Sequence, residues 1–140
     1  MKAIVALPTI LLIGGIIVEI AVAGVFIAYL LSQSGFGAKL SAEALAAAQA
    51  GIQEAMMKIV RDKNFSSSGY DIAVGSRAAH IIVCKDSKTV SSACSTANPG
   101  KDEITSLGSA SIKRRQLRAM VNVNSATGEV KIESIVELPL

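Results

Sequence analysis

The chain has 140 residues, of which 51% are hydrophobic and 4% aromatic, and its formal net charge is +3. This length fits one domain plus an anchor, and so mild a charge does not indicate nucleic acid as a partner. The aliphatic excess is concentrated in the first 31 residues. The remainder has the composition of a soluble domain with few aromatic side chains and therefore a modest core.

An apolar run covers residues 3–31, and Glu19 is the only charged residue in it. At about 1.5 Å per residue, a helix of this length exceeds the ~30 Å hydrocarbon thickness of a bilayer. The run therefore predicts a membrane-spanning helix, with Pro8 at its start or at a kink. A carboxylate near mid-bilayer costs about 2.5–3.5 kcal/mol. We expect Glu19 to have a positively charged partner; the alternative is a protonated Glu tolerated in a long span.

The flanking charges and the cysteines indicate the orientation. Lys2 precedes the run and Lys39 is the first charge after it, which favours a cytoplasmic N-terminus and an extracytoplasmic C-terminal domain at the cell surface. Cys84 and Cys94 both lie in the exported part, where an oxidising compartment favours a disulfide. Two unrelated buried thiols are the alternative. With His80, these ligands are too few for a metal site, and no cofactor is expected.

The segment after the apolar run is again helical in pattern, to about residue 63. Ser34, Gly35, Phe36 and Gly37 are expected to loosen or interrupt the helix between the two parts. Apolar residues then recur at three- and four-residue steps and form one stripe for packing: Leu45, Ala48, Ile52, Ala55, Met56 and Ile59. Glu54 and Lys58 are spaced for an i,i+4 ion pair on another face of the helix.

From Tyr70 onward the apolar period changes to two, which predicts strands. Turn signals stand at Gly75-Ser76 and at residues 124–128, and residues 85–102 read as a long polar loop held by the cysteines. Strands are expected near residues 70–74, 80–84, 104–110, 117–123 and 130–136. The predicted fold class is α+β, with a long N-terminal helix packed on a small antiparallel meander of four or five strands. The expected division is residues 1–36 (leader and transmembrane helix), 37–64 (amphipathic helix) and 65–140 (sheet domain).

Two motifs in the helix carry a resemblance to a known family. The run Gly14-Gly15-Ile16-Ile17-Val18-Glu19 is similar to the processing site of type IV pilins and pseudopilins, in which a Gly precedes the cut and a Glu is the fifth mature residue. Residues 48–55, Ala-Gln-Ala-Gly-Ile-Gln-Glu-Ala, resemble the helix signature of PilX-type minor pilins. The resemblance covers about residues 14–64, and the sheet matches the family only in class.

The resemblance implies a non-enzymatic structural subunit of a type IV pilus or a related secretion or adhesion filament. A prepilin peptidase would cut between Gly14 and Gly15, and the helix would pack in the membrane and then in a filament with other pilin-like subunits, as a homo- or hetero-oligomer. Glu19 would pair with the new N-terminal amine of a neighbouring subunit.

Three alternatives remain open at the level of the sequence. The leader is apolar where the family's is usually polar and basic, and Gly15 stands where Phe is usual, so the chain is alternatively an uncut anchor. Ala21-Val22-Ala23 offers a signal-peptidase site. The alternative function is a single-pass surface protein whose exported domain binds a ligand without assembling into filaments.

The exported part shows no catalytic constellation. Its single histidine, His80, lies in an alternating strand and is expected to be a structural or surface residue, so no enzyme activity is predicted. One basic cluster is present, formed by Lys113, Arg114, Arg115 and Arg118. On a strand, Lys113 and Arg115 would project to one face and Arg114 and Arg118 to the other. We expect a solvated strand edge; the alternative is contact with DNA, anionic lipid headgroups or a surface polymer.

Overall fold

The computed structural model describes residues 3–87, 94, 99–124 and 126–140, with side chains from Pro8 onward. One helix, α1 (Ala3–Arg61), is followed by five strands. These are β1 (Ser67–Val74), β2 (Arg77–Cys84), β3 (Lys101–Ala110), β4 (Lys113–Val123) and β5 (Val130–Leu138). The chain forms two compact units, Met1–Ala38 and Lys39–Leu140. The α+β class predicted from the sequence is confirmed.

Helix α1 continues without a break through Gly35 and Gly37, so the predicted interruption is wrong. Each glycine costs about 1 kcal/mol relative to Ala in a helix, but a break would sacrifice backbone hydrogen bonds and require a second nucleation. Ser34 also bonds locally, its hydroxyl donating to the Leu31 carbonyl at 2.9 Å. Pro8 lies inside the helix rather than at its start.

The five strands form one antiparallel meander in the order β1-β2-β3-β4-β5. The alternating pattern that predicted them is the pattern of burial: along β3 every second residue, beginning with Asp102, is buried. Strand β3 begins at Lys101, so the predicted loop of residues 85–102 is too long at its C-terminal end. Residues 88–93 and 95–98 of that loop lie outside the described residues.

A β-bulge in β5 keeps Ile132 and Ile135 on the helix side of the sheet. Val121 of β4 pairs with Ile132, but the preceding Met120 pairs with Ser134, which leaves Glu133 as the extra residue. Without it, Ile132 and Ile135 would face opposite sides of the sheet, because their spacing is odd. The extra residue therefore brings both isoleucines to the same face of the sheet, although their spacing in the sequence is odd.

The core of unit Lys39–Leu140 lies between the C-terminal part of α1 and one face of the sheet. Its largest fully buried side chains include Ile59, Ile81 and Ile104, and burial of such a side chain contributes about 1.5–3 kcal/mol. The predicted stripe on the helix faces this core. Its members are either buried in the core or partly buried against it: Leu45, Ala48, Ile52, Ala55, Met56 and Ile59.

Close approach of helix and sheet depends on small residues. A Cβ on Gly108 of β3 would overlap the Ala44 carbonyl oxygen and lie 2.5 Å from the Ala48 nitrogen. A Cβ on Gly51 of α1 would overlap the Ser106 hydroxyl. The backbones therefore nearly touch, which larger side chains at these positions would prevent.

Candidate functional site: the apolar helix and its carboxylate

The N-terminal part of α1 exposes apolar side chains on every side. Its large hydrophobic residues between Ile10 and Leu31 are 48–72% exposed, and the helix is long and apolar enough to cross a membrane. A soluble unit would bury such residues, whereas a bilayer or a bundle of like helices covers them. The structure is therefore compatible with a single-pass membrane anchor.

Glu19 projects from this apolar surface as an exposed side chain. Gly15 stands one turn before it and therefore shares its face of the helix, whereas Gly14 lies on a different face. A Cβ at Gly14, Gly15 or Gly24 would meet nothing within 4 Å. The small residues are thus not required by the packing of this chain on itself, and they leave room for another chain to approach the helix closely.

The helix also has a polar anchor near the end of the apolar run, which the sequence interpretation missed. Gln33 Nε2 donates a hydrogen bond to the Tyr29 hydroxyl at 2.9 Å. Tyrosine at the end of a span places an apolar ring in lipid and a hydroxyl at the interface. Tyr29 also lines a shallow apolar groove on the helix surface, together with Ala21, Val22, Val25 and Phe26.

The two cysteines form the predicted disulfide. Cys84 ends β2, and its Cα lies 5.2 Å from that of Cys94. The bond closes a loop of about ten residues, for which a chain-entropy model gives about 2.5–3 kcal/mol of stabilisation.

Next to the disulfide, two aspartates fix the chain where it enters and leaves the loop. The Asp86 N–H donates to Asp102 Oδ1 at 3.0 Å, and the Gly100 N–H donates to Asp86 Oδ1 at 2.7 Å. Asp102 is 1% exposed. Burial raises the pKa of its carboxyl, and the hydrogen bond from Asp86 opposes part of that rise. Within the described residues, Asp102 Oδ2 has no hydrogen-bond partner.

His80 is a surface residue on the sheet face opposite α1, as expected. Its Nδ1 lies 2.8 Å from Asp71 Oδ1 on the neighbouring strand, and both side chains are exposed. The pair therefore acts as a cross-strand contact on the solvated face of β1 and β2.

The basic cluster is divided as the strand geometry predicts. Arg115 Nε lies 2.9 Å from Glu137 Oε1 of β5, and Lys113 and Arg114 are exposed. Among the described residues, no ion pair forms at Lys113, Arg114 or Arg118. Strand β5 pairs with β4 only from Gln116 onward, so Lys113, Arg114 and Arg115 lie on an open edge of the sheet, whereas Arg118 lies opposite Val136 in its interior. Charges on an open edge oppose pairing with another strand, which agrees with the strand-edge interpretation for the first three cations.

A polar cluster at the end of α1 holds β1 to the helix. The Tyr70 hydroxyl donates a hydrogen bond to Glu54, and the predicted Glu54–Lys58 ion pair is confirmed at 3.1 Å. Lys58 Nζ also lies 3.6 Å from the centre of the Tyr70 ring, a cation–π contact. Burial and the Glu54 carboxylate raise the pKa of the Tyr70 hydroxyl far above its usual range. These residues have a structural role.

The sequence matches no family model, no curated protein and no solved structure.

Proposed function

We propose that this chain is a pilin-like structural subunit of a type IV pilus or a related secretion or adhesion filament. The observation that carries the proposal is an apolar helical segment, exposed on all sides and interrupted by one carboxylate, which continues into a folded α+β unit. Lipid covers such a helix before assembly, and like helices cover it in a filament.

Glu19 is the residue that distinguishes assembly from simple anchoring. An anchor has no use for a carboxylate among residues 3–31, because its insertion is costly. In a filament core a positive group satisfies it, and the resemblance to pilins supplies one: the N-terminal amine that cleavage after Gly14 would create on a neighbouring subunit. Charge pairing in an apolar environment then fixes the position of one helix along the other.

The second candidate is a single-pass, membrane-anchored surface protein that binds a ligand without forming filaments. It is favoured by an apolar cavity of about 390 Å³ beside β5, lined in part by Ile52, Met56, Leu117 and Ile135. Pockets of this size and character take small ligands or partner side chains. In this case the N-terminal helix would only anchor the domain, and its residues would tolerate substitution.

Processing of the N-terminus tests the proposal. Intact mass of the protein from native membranes should show the loss of residues 1–14. Gly14→Leu should abolish that loss, whereas Gly24→Leu should not affect it. Neither glycine has a neighbouring atom within 4 Å of a built Cβ, so both variants should form the helix, and a difference between them would reflect recognition by the peptidase. A full-length mass in the wild-type protein would contradict the proposed processing.

A further inference from the structure

The turn between β3 and β4 carries an isoleucine that the fold does not explain. Ala110 pairs with Lys113, so Ser111 and Ile112 form a two-residue turn, and Ser111 adopts a φ of 54°. Such turns favour Gly, Asn and Asp. Ile112 is nevertheless 84% exposed, more than any other large hydrophobic side chain among the described residues.

The turns that connect β1 to β2 and β4 to β5 follow the usual preferences. Gly75 and Ser76 connect β1 to β2, and Gly75 supplies the positive φ of 62°. The turn between β4 and β5 contains Asn124 and Gly128, and the Asn124 side chain accepts bonds from the N–H groups of Ala126 and Thr127. Ile112 therefore departs from the pattern of these two turns. Departures of this kind, which stabilise nothing within the chain, are expected at functional positions.

The β3–β4 turn lies at the end of unit Lys39–Leu140 that is connected to the apolar segment. Ala110, next to the turn, packs with Leu40 and Ala44 at the start of the helical part of this unit. Lys39 follows Leu31, the last residue of the apolar run, by eight positions. Eight residues span about 12 Å as a helix and at most about 29 Å when extended. Chain length therefore limits how far Lys39 can lie from the end of the apolar run.

The charges beside Ile112 match one kind of surface. Lys113 and Arg114 follow it directly and are exposed, with no ion pair among the described residues. A hydrophobic tip with adjacent cations is the arrangement that binds a membrane interface: the apolar side chain enters the acyl boundary while the cations contact lipid phosphates.

We propose that the β3–β4 turn docks onto an anionic lipid bilayer, with Ile112 entering the apolar layer and Lys113 and Arg114 contacting lipid phosphates. This inference rests on the membrane anchor in the proposed function. Docking holds the exported unit against the membrane while the subunit is unassembled, and assembly would require its release.

The chain contains no tryptophan, so one introduced residue provides a fluorescent probe without background. The full chain carrying Ile112→Trp is reconstituted in phosphatidylcholine vesicles with and without phosphatidylglycerol. With phosphatidylglycerol, its emission should shift to shorter wavelength and be quenched by lipids with brominated acyl chains. Ala126→Trp, in the turn at the opposite end of the sheet, should show neither effect.

Removing the positive charges of Lys113 and Arg114 tests whether electrostatic attraction to lipid phosphates contributes to docking. Each cation near an anionic surface contributes about a fivefold factor to binding, so adding Lys113→Gln and Arg114→Gln to Ile112→Trp should lower the ratio of docked to undocked protein by about 30-fold. Equal quenching with and without phosphatidylglycerol would overturn the proposal. A spectral shift without quenching by brominated lipid would also overturn it, because the introduced tryptophan would then contact protein rather than lipid.

Flotation of the same vesicles separates this inference from the anchor. Protein that floats with the vesicles but shows no quenching of the turn probe is anchored without docking, which refutes the inference and leaves the proposed function standing. Protein that does not float lacks the anchor, which refutes both.

Discussion

Asp102 illustrates how burial determines the behaviour of a single residue. The sequence places it in a polar, charged segment, where a solvated carboxylate is the ordinary expectation. The structure instead buries it on the helix side of β3. Its position follows from the register of β3, which begins at Lys101, and the sequence interpretation placed the start of that strand later. An earlier first residue of β3 leaves Ile104 and Ser106 on the same buried face. It adds Asp102 to the strand, however, and thereby places this polar residue on the buried face as well.

Asp102→Asn should change how stability depends on pH. Burial raises the pKa of Asp102 from the usual value of 3.8, so its contribution to stability is fully present below that value and is lost as pH rises through the folded pKa. Asn keeps the oxygen that accepts the Asp86 N–H and cannot ionise. The free energy of unfolding of Asp102→Asn relative to wild type should therefore rise between acidic and neutral pH, measured by chemical denaturation of the full chain in detergent.

Glu133→Gln is the matched control, because its stability relative to wild type should change with pH in the opposite direction. Hydrogen bonds from Lys101 and Asn122 lower the pKa of Glu133, so its contribution is present above its ordinary value and is lost as pH falls. Stability of Glu133→Gln relative to wild type should fall between acidic and neutral pH. A pH-independent difference for Asp102→Asn would contradict the account of its burial.

At the scale of elements, the alternation of apolar residues predicted the strands and the meander, because a two-residue period and short turns leave few other topologies. Two features could not be predicted in this way. The bulge at Glu133 depends on pairing with β4, and the continuity of α1 depends on the cost of breaking a long helix rather than on local propensity. The contact of Gly51 with Ser106 and of Gly108 with Ala44 also required the three-dimensional register.

Gly108→Ala should destabilise unit Lys39–Leu140 more than Gly51→Ala does. The new Cβ at position 108 would clash with backbone atoms of α1, which move only with the helix, and overpacking of this kind costs about 1–3 kcal/mol or more. At position 51 the nearest atom is the Ser106 hydroxyl, which can rotate, and Ala favours a helix by about 1 kcal/mol over Gly. Chemical denaturation of both variants measures the order; equal costs would refute the proposed close approach.

On the scale of the whole molecule, the sequence predicted the two kinds of surface that the structure shows. Long exposed apolar side chains occur on unit Met1–Ala38, whereas unit Lys39–Leu140 encloses a core of its own. The candidate site was found from Glu19 and its spacing from Gly14, since a charge in an apolar run is visible without a structure. The role of Ile112 was not found from the sequence, because only the register of β3 and β4 places this residue at the tip of a turn.

A fragment of residues 37–140 should fold alone. Its apolar stripe on α1 is covered by the sheet, and the large apolar burden lies upstream of Leu31. Analytical ultracentrifugation should find a monomer, and denaturation should be a single cooperative transition. Aggregation, or a gradual loss of structure, would show that the core depends on the N-terminal segment.

The most direct test of assembly through the helix is filament yield from cells carrying changes at Glu19. Glu19→Gln should leave membrane insertion unchanged or improved, because a buried carboxylate opposes insertion. Filament yield should nevertheless fall, because breaking one side of a buried charge pair costs about 3–5 kcal/mol. The matched control, Glu19→Ala with Ala23→Glu, keeps one carboxylate on the same helix face but moves it by about 6 Å.

Membrane fractions should be normal for all three proteins, and filaments should form only from the wild type, because the partner charge has a fixed position along the helix. Filament yields equal to wild type from Glu19→Gln would contradict the pairing and favour the anchored surface protein.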